Sequence, residues 1–210
     1  MADRKIDYSL TREFADPQAR LAALRADYGH LEGKALIEAL YSVFGHKLGA
    51  ITSFGVNAPL LLGQIAQIDR SMAIYTADAG EHSNPMTSYN RLVLEQQLGL
   101  GNIRDCPIGE ANIDRLGQGE CCGELKNEAL NKALNEDNIG IVLAGLNIAE
   151  NRGRKDVKTF ELSSDGRRVV VNPNAAYDDA RIDAELEKLA LGEFAGDDKR
   201  YPTCGQCSAP

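Results

Sequence analysis

No apolar run in this chain approaches bilayer length, and nothing at its N-terminus reads as a secretory signal. Membrane insertion is therefore excluded, and a soluble, cytoplasmic protein is expected. A basic surplus is also missing. Lys and Arg number 23 against 31 Asp and Glu, a formal net charge of −8, which argues against general nucleic-acid affinity. Positive charge is confined to two local clusters, Arg152, Arg154 and Lys155, then Arg167 and Arg168. Internal repeats and low-complexity linkers are lacking. Histidine is scarce: His30 and His46 read as surface residues, and only His82, in the loop after Gly80, is placed to meet a phosphate. What remains is ordinary for a globular chain, 43% hydrophobic and 26% charged, and 210 residues suffice for one real core.

Cysteine usage carries the most information. Cys121 and Cys122 are adjacent, and Cys204 and Cys207 form a Cys-x-x-Cys pair far downstream. Tetrahedral zinc favours ligands about two to four residues apart. Adjacent helical residues point about 100° apart, so both reach one centre only if it is wide. A 4Fe-4S cluster offers four irons, and four cysteine thiolates are its usual shell. The quartet is read as holding such a cluster, with structural zinc and a redox disulfide as the alternatives. Cys106, alone after a strand-like run, reads as a small buried hydrophobe.

Helix and strand patterns alternate along the chain. Residues 17–44 carry leucines at helical spacing, opened by Asp16-Pro17 as cap and first-turn residue. Strands are expected over 47–54, 72–77, 102–106 and 139–144, and helices over 58–68, 87–98 and 120–134. A hairpin over 158–171 turns around Ser164-Asp165-Gly166, and a last helix covers 178–189. This rhythm predicts an α/β fold with a mostly parallel, doubly wound sheet in a single domain. Residues 1–46 are assigned to an N-terminal helical region, 47–191 to a nucleotide-binding α/β domain, and 192–210 to a tail carrying Cys204 and Cys207.

Ligands of such sheets bind beyond the carboxyl ends of the strands. Four segments are expected there. The turn Thr52-Ser53-Phe54-Gly55-Val56-Asn57 leads into a helix whose leading N–H groups suit an anion. Asp78-Ala79-Gly80 and Gly145-Leu146 each follow a strand, and Lys126 lies one helical turn beyond Cys122.

Taken together, the Ser-x-Gly turn, the Asp-x-Gly loop, Cys-Cys-x-x-x-Lys, the Gly-Leu loop, Val171-Asn172-Pro173 and Tyr-Pro…Cys-x-x-Cys resemble the assimilatory adenylyl-sulfate (APS) reductases over roughly residues 48–207. The resemblance implies an adenine-nucleotide α-hydrolase-like fold, homo-oligomers, and reduction of APS to sulfite and AMP with thioredoxin as electron donor. It implies that Ser53, Phe54, Gly55, Asp78, Gly80, Lys126, Gly145 and Leu146 border the nucleotide. Cys121, Cys122, Cys204 and Cys207 would hold the 4Fe-4S cluster, with Lys126 acting between cluster and sulfate.

Three departures from the family pattern bear on activity. The Glu-Cys-Gly-x-His segment that supplies the family's nucleophile is not among the 210 residues, so weak binding of APS or AMP and impaired turnover are expected. Asn57-Ala58 stands where an acidic residue and a serine are usual. Asn147-Ile148-Ala149 replaces basic residues, for which Arg152 and Arg154 are the candidates to compensate. Cys106 is the alternative nucleophile. The competing expectation is a catalytically divergent nucleotide-binding iron–sulfur protein, serving as a sensor or interaction module.

Overall fold

The computed structural model describes residues 16–55, 57–78, 85–109, 122–147 and 157–191. Six strands form one sheet: β1 (Leu48–Ile51), β2 (Ile74–Asp78), β3 (Ile103–Pro107), β4 (Ile141–Leu143), β5 (Phe160–Leu162) and β6 (Val169–Val171). Their order is β3-β2-β1-β4-β6-β5, parallel throughout except where β5 returns antiparallel against β6. The sheet is the mostly parallel, doubly wound one that the sequence rhythm predicts. β1 is central, with Ala50 in register with Ile74 on one side and Leu143 on the other.

Helices are α1 (Pro17–Tyr28), α2 (Gly33–Phe44), α3 (Ala58–Ala66), α4 (Pro85–Leu98), α5 (Cys122–Glu136) and α6 (Asp179–Leu189). Strand side chains alternate between the two faces. Ile141 and Leu143 join the larger core with Leu24 of α1, Leu36 of α2, Leu61 of α3 and Leu94 of α4. Val142 faces the smaller core, where Tyr75, Cys106 and Ile139 meet Leu134 of α5. The N-terminal helices thus share the larger core with the sheet.

Residues 17–44 divide into two helices rather than one. The Gly29 N–H returns to the Arg25 carbonyl, ending α1, and the Gly33 N–H bonds to the Pro173 carbonyl, fixing the start of α2 against the far end of the chain. A short 3₁₀ turn, Gly45–Lys47, delays β1 to Leu48. Asp16 caps α1 by accepting from the Gln18 N–H at 3.0 Å, and Asp178 caps α6 through the Arg181 N–H at 2.9 Å. Helix α3 is buried almost throughout. Its one buried amide side chain, Gln64, exchanges two hydrogen bonds with Asn174, at 3.1 and 3.0 Å. At Gly63 a Cβ would stand 2.5 Å from Leu189 Cδ1, so glycine lets α6 cross close over α3.

Arg168 locks the β5–β6 hairpin to α5. Only 3% exposed, it donates to the Ile139 carbonyl at 3.2 Å, to Asn131 Oδ1 at 3.0 Å and to Asp165 at 3.0 Å. A buried guanidinium is tolerated because its donors are met on several sides.

At the amino ends of the strands, the Tyr75 hydroxyl donates to Asp137 at 2.7 Å and Arg104 pairs with the same carboxylate. The Tyr75 bond, then burial opposing it, then Arg104 leave Asp137 below the usual carboxylate range. A lowered folded-state value contributes stability that is complete above the unfolded carboxylate pKa of about 4 and is lost as pH falls through the folded value. Tyr75→Phe removes the leading cause, so the acid-unfolding midpoint should move to higher pH. Circular dichroism across an acid titration measures it; an unchanged midpoint would exclude this role.

Candidate functional site

The strand order reverses direction between β1 and β4, where ligands of doubly wound sheets sit. A cavity of about 550 Å³ opens there, well within the range of small-molecule sites. Ser53, Phe54 and Gly55 enter it from the turn after β1, Asp78 from the end of β2, Lys126 from α5, and Gly145 and Leu146 from the loop after β4. The chain therefore gathers these seven residues, which the sequence places in four separate segments, around one space. Gly80, Arg152, His82, Cys121, Cys204 and Cys207 lie outside the described residues.

The turn after β1 is built against its own preference. Phe54 has a φ of 54°, left-handed for a bulky non-glycine residue, which costs about 1–2 kcal/mol. Its N–H is held by Thr52 Oγ1 at 3.0 Å and its carbonyl by Asn90 Nδ2 at 3.2 Å. The Arg91 guanidinium lies over its ring, 5.8 Å from the centroid. The start of α3 offers an anion less than its position suggests. The Ala58 N–H returns to the Gly55 carbonyl at 3.0 Å, and Pro59 has no N–H. Two of the four leading donors are thereby withdrawn.

The loops after β1 and β4 touch. Asn147, 2% exposed, donates from Nδ2 to Asn57 Oδ1 at 2.8 Å. At Gly145 a Cβ would lie 3.4 Å from Asn57 Cβ and 3.5 Å from the Asn57 carbonyl, in ordinary van der Waals contact with the turn after β1. Asn57 and Asn147, each at a departure from the resembled pattern, are thus partners of one another.

Charges around the cavity are unevenly committed. Arg91 makes a two-point contact with Asp105, at 2.5 and 3.0 Å, and a third bond to Glu95 at 2.6 Å. Asp105, first among the causes, raises its basicity, so this cation is already neutralised by its own neighbours. Lys126 projects from the helix that Cys122 opens, one turn further on. Among the described residues there is no group of three or more His, Cys, Asp or Glu arranged to hold a metal ion.

Sequence reasoning did not reach Thr87, Ser88 and Arg91 of α4, or Asn127 of α5, which also line the cavity. The α4 residues share one face at i, i+1 and i+4, a spacing legible once the helix is placed over the strand ends. Cys106 does not line the cavity. It is 2% exposed and packed with Tyr75, Leu134 and Val142, and burial, ahead of the nearby Asp105 charge, pushes its thiol pKa up. A neutral, enclosed thiol is a poor nucleophile. Cys106→Ser sets a hydroxyl in that apolar cluster and should cost about 1–2 kcal/mol in urea unfolding while leaving ligand affinity at the cavity unchanged. A large loss of affinity without loss of stability would reverse this assignment.

No family model matches the chain. Two curated proteins similar to it are both named adenosine 5′-phosphosulfate reductase. The one from Mesorhizobium japonicum is 33% identical over 122 residues, covering 53% of this chain and 48% of that protein. The one from Chelativorans sp. is 27% identical over 189 residues, covering 85% of this chain and 75% of that protein. The chain thus matches about half the length of the first relative and three quarters of the second. Among solved structures, a phosphoadenylyl-sulfate reductase from Candida auris, in a phosphate complex, superposes with a TM-score of 0.67 at 17% identity, covering 90% of this chain and 95% of that one. The tRNA thiolase NcsA from Methanococcus maripaludis, with its 4Fe-4S cluster, gives 0.53 at 12% identity, covering 85% and 64%. At such identities the structural likeness shows the shared fold alone.

Proposed function

We propose that this relative of the adenosine 5′-phosphosulfate reductases binds adenylyl sulfate in the cavity at the β1–β4 switch point and serves its reduction to sulfite and AMP. The observation that carries the reading is the convergence of Ser53, Gly55, Asp78, Lys126, Gly145 and Leu146 on one space of nucleotide size. The sequence relatives supply the substrate class, since both are named for it.

In this reading the backbone around Gly55 and Gly145 approaches the phosphate and ribose closely, as small residues allow. Asp78 accepts from the nucleoside side. Lys126 places a single ammonium at the anionic end, where Arg91 is already engaged by Asp105 and Glu95. In the reaction that the family resemblance implies, a thiolate attacks the sulfate sulfur, the sulfur–oxygen bond to AMP breaks, and AMP leaves. A dithiol such as thioredoxin's then cleaves the resulting thiosulfonate, releasing sulfite and becoming a disulfide. Cys106 does not line the cavity, so the attacking thiolate in this reading is another cysteine.

Cys121, Cys122, Cys204 and Cys207 would hold a 4Fe-4S cluster. Bound there, such a cluster supplies electrostatic tuning of the substrate's sulfate rather than a covalent step. Anaerobic purification should give a brown protein with equal iron and acid-labile sulfide, and Cys204→Ser should abolish both. A colourless protein carrying zinc would replace the cluster assignment.

Lys126 separates the substrate from its product. Lys126→Ala should weaken adenylyl sulfate binding about tenfold while changing AMP affinity by less than about threefold, because only the substrate carries the extra anionic group. Calorimetric titration of both ligands decides it. Failure of the unmodified chain to bind either ligand would refute the nucleotide reading. Binding without sulfite release, even with a dithiol and an added thiolate segment, would favour a sensor or interaction module.

A further inference from the structure

We infer that Asn90 is a positioning residue for the turn after β1, holding Phe54 in its left-handed conformation by gripping the Phe54 carbonyl. The nucleotide reading above supplies what the turn binds; the clamp itself stands on geometry.

A bulky residue keeps a φ of 54° only where its surroundings over-determine it. Thr52 restrains the N–H of Phe54 locally, two residues away. The carbonyl is restrained from a different element: Asn90 Nδ2 reaches it at 3.2 Å from α4, 36 residues along the chain. Arg91, next on the same helix, lies over the ring. Consecutive residues of α4 therefore hold the backbone and the side chain of one strained position. Phe54 itself is 2% exposed, and Asn90 is 4% exposed, so the bond between them is shielded from water and correspondingly strong.

Packing does not account for Asn90. Its Oδ1 is buried without a hydrogen-bond partner among the described residues. A half-satisfied amide is a worse occupant of a buried helix face than a leucine of similar size. Its retained use is the other half of the group, the donor on the Phe54 carbonyl. The same helix is anchored in the larger core through Leu94 and lines the cavity with Thr87, Ser88 and Arg91. Through Asn90 the anchored helix fixes where the turn lies, and so where the Gly55 backbone faces an anionic ligand.

Asn90→Leu removes both the donor and the orphaned acceptor, separating positioning from packing. The thermal midpoint should fall by no more than a few degrees, because the Phe54 carbonyl loses its partner while the orphaned Asn90 acceptor is removed and a larger apolar side chain is gained. Amide hydrogen exchange over residues 53–58 should quicken about tenfold while the rest of the sheet keeps its protection. AMP affinity should fall about tenfold, and adenosine affinity should stay within about twofold, because only the phosphate meets the turn. Unchanged exchange in the turn, or parallel losses of AMP and adenosine affinity, would overturn the assignment. If the leucine variant does not fold, Asn90→Asp, which keeps the size and loses the donor, gives the same comparison. Should the unmodified chain bind neither AMP nor adenosine, the functional reading fails, and the exchange measurement alone decides the clamp.

Discussion

The hydrogen-bonded placement of β1 between β2 and β4 is the constraint from which the rest follows. Both neighbours run parallel to it, so three sets of carboxyl-terminal loops emerge at the same edge of the sheet. Parallel strands need long crossovers, and these place helices on both faces and bury the central strands β1 and β4 most completely. The same connectivity leaves a crevice where one crossover departs toward β2 and another arrives from β3 by way of α5. Without that reversal, the turn at Ser53 and the loop at Gly145 would have no reason to meet.

What fills the crevice's walls is unusually self-contained. Asn57 bonds Asn147, Arg91 bonds Asp105 and Glu95, and the Ala58 N–H returns to Gly55. Each interaction ties down a group that would otherwise be offered to an anion. Rigidity is gained at the expense of free positive charge among the described residues, which puts a premium on Lys126 and on exact placement of the backbone. A turn that depends on placement needs external restraint, and α4 provides it through successive side chains.

Much of the fold was legible in advance because each element carries a local signal. Asp16 was readable as a cap, and Ser164-Asp165-Gly166 as a hairpin turn. The helix break before Gly33 was not, because its cause is a bond to Pro173, at the other end of the sequence. Among cavity residues the glycine-bearing turns were visible from their place after strands. Thr87, Ser88 and Arg91 were not, since a polar helix face looks the same whether it meets solvent or a cavity. The cysteine quartet is a sequence reading that extends beyond the described residues.

By itself, then, the order of residues determined the alternation of strands and helices, the chemistry available at each strand end, and the resemblance to a family, because these depend on neighbours in the chain. Tertiary structure alone decided that Asn57 meets Asn147, that Arg91 is spent on Asp105, and that Asn90 reaches Phe54. These pairings join residues from 14 to 90 positions apart. No local propensity encodes such contacts; they exist only once the sheet has set which loops share an edge.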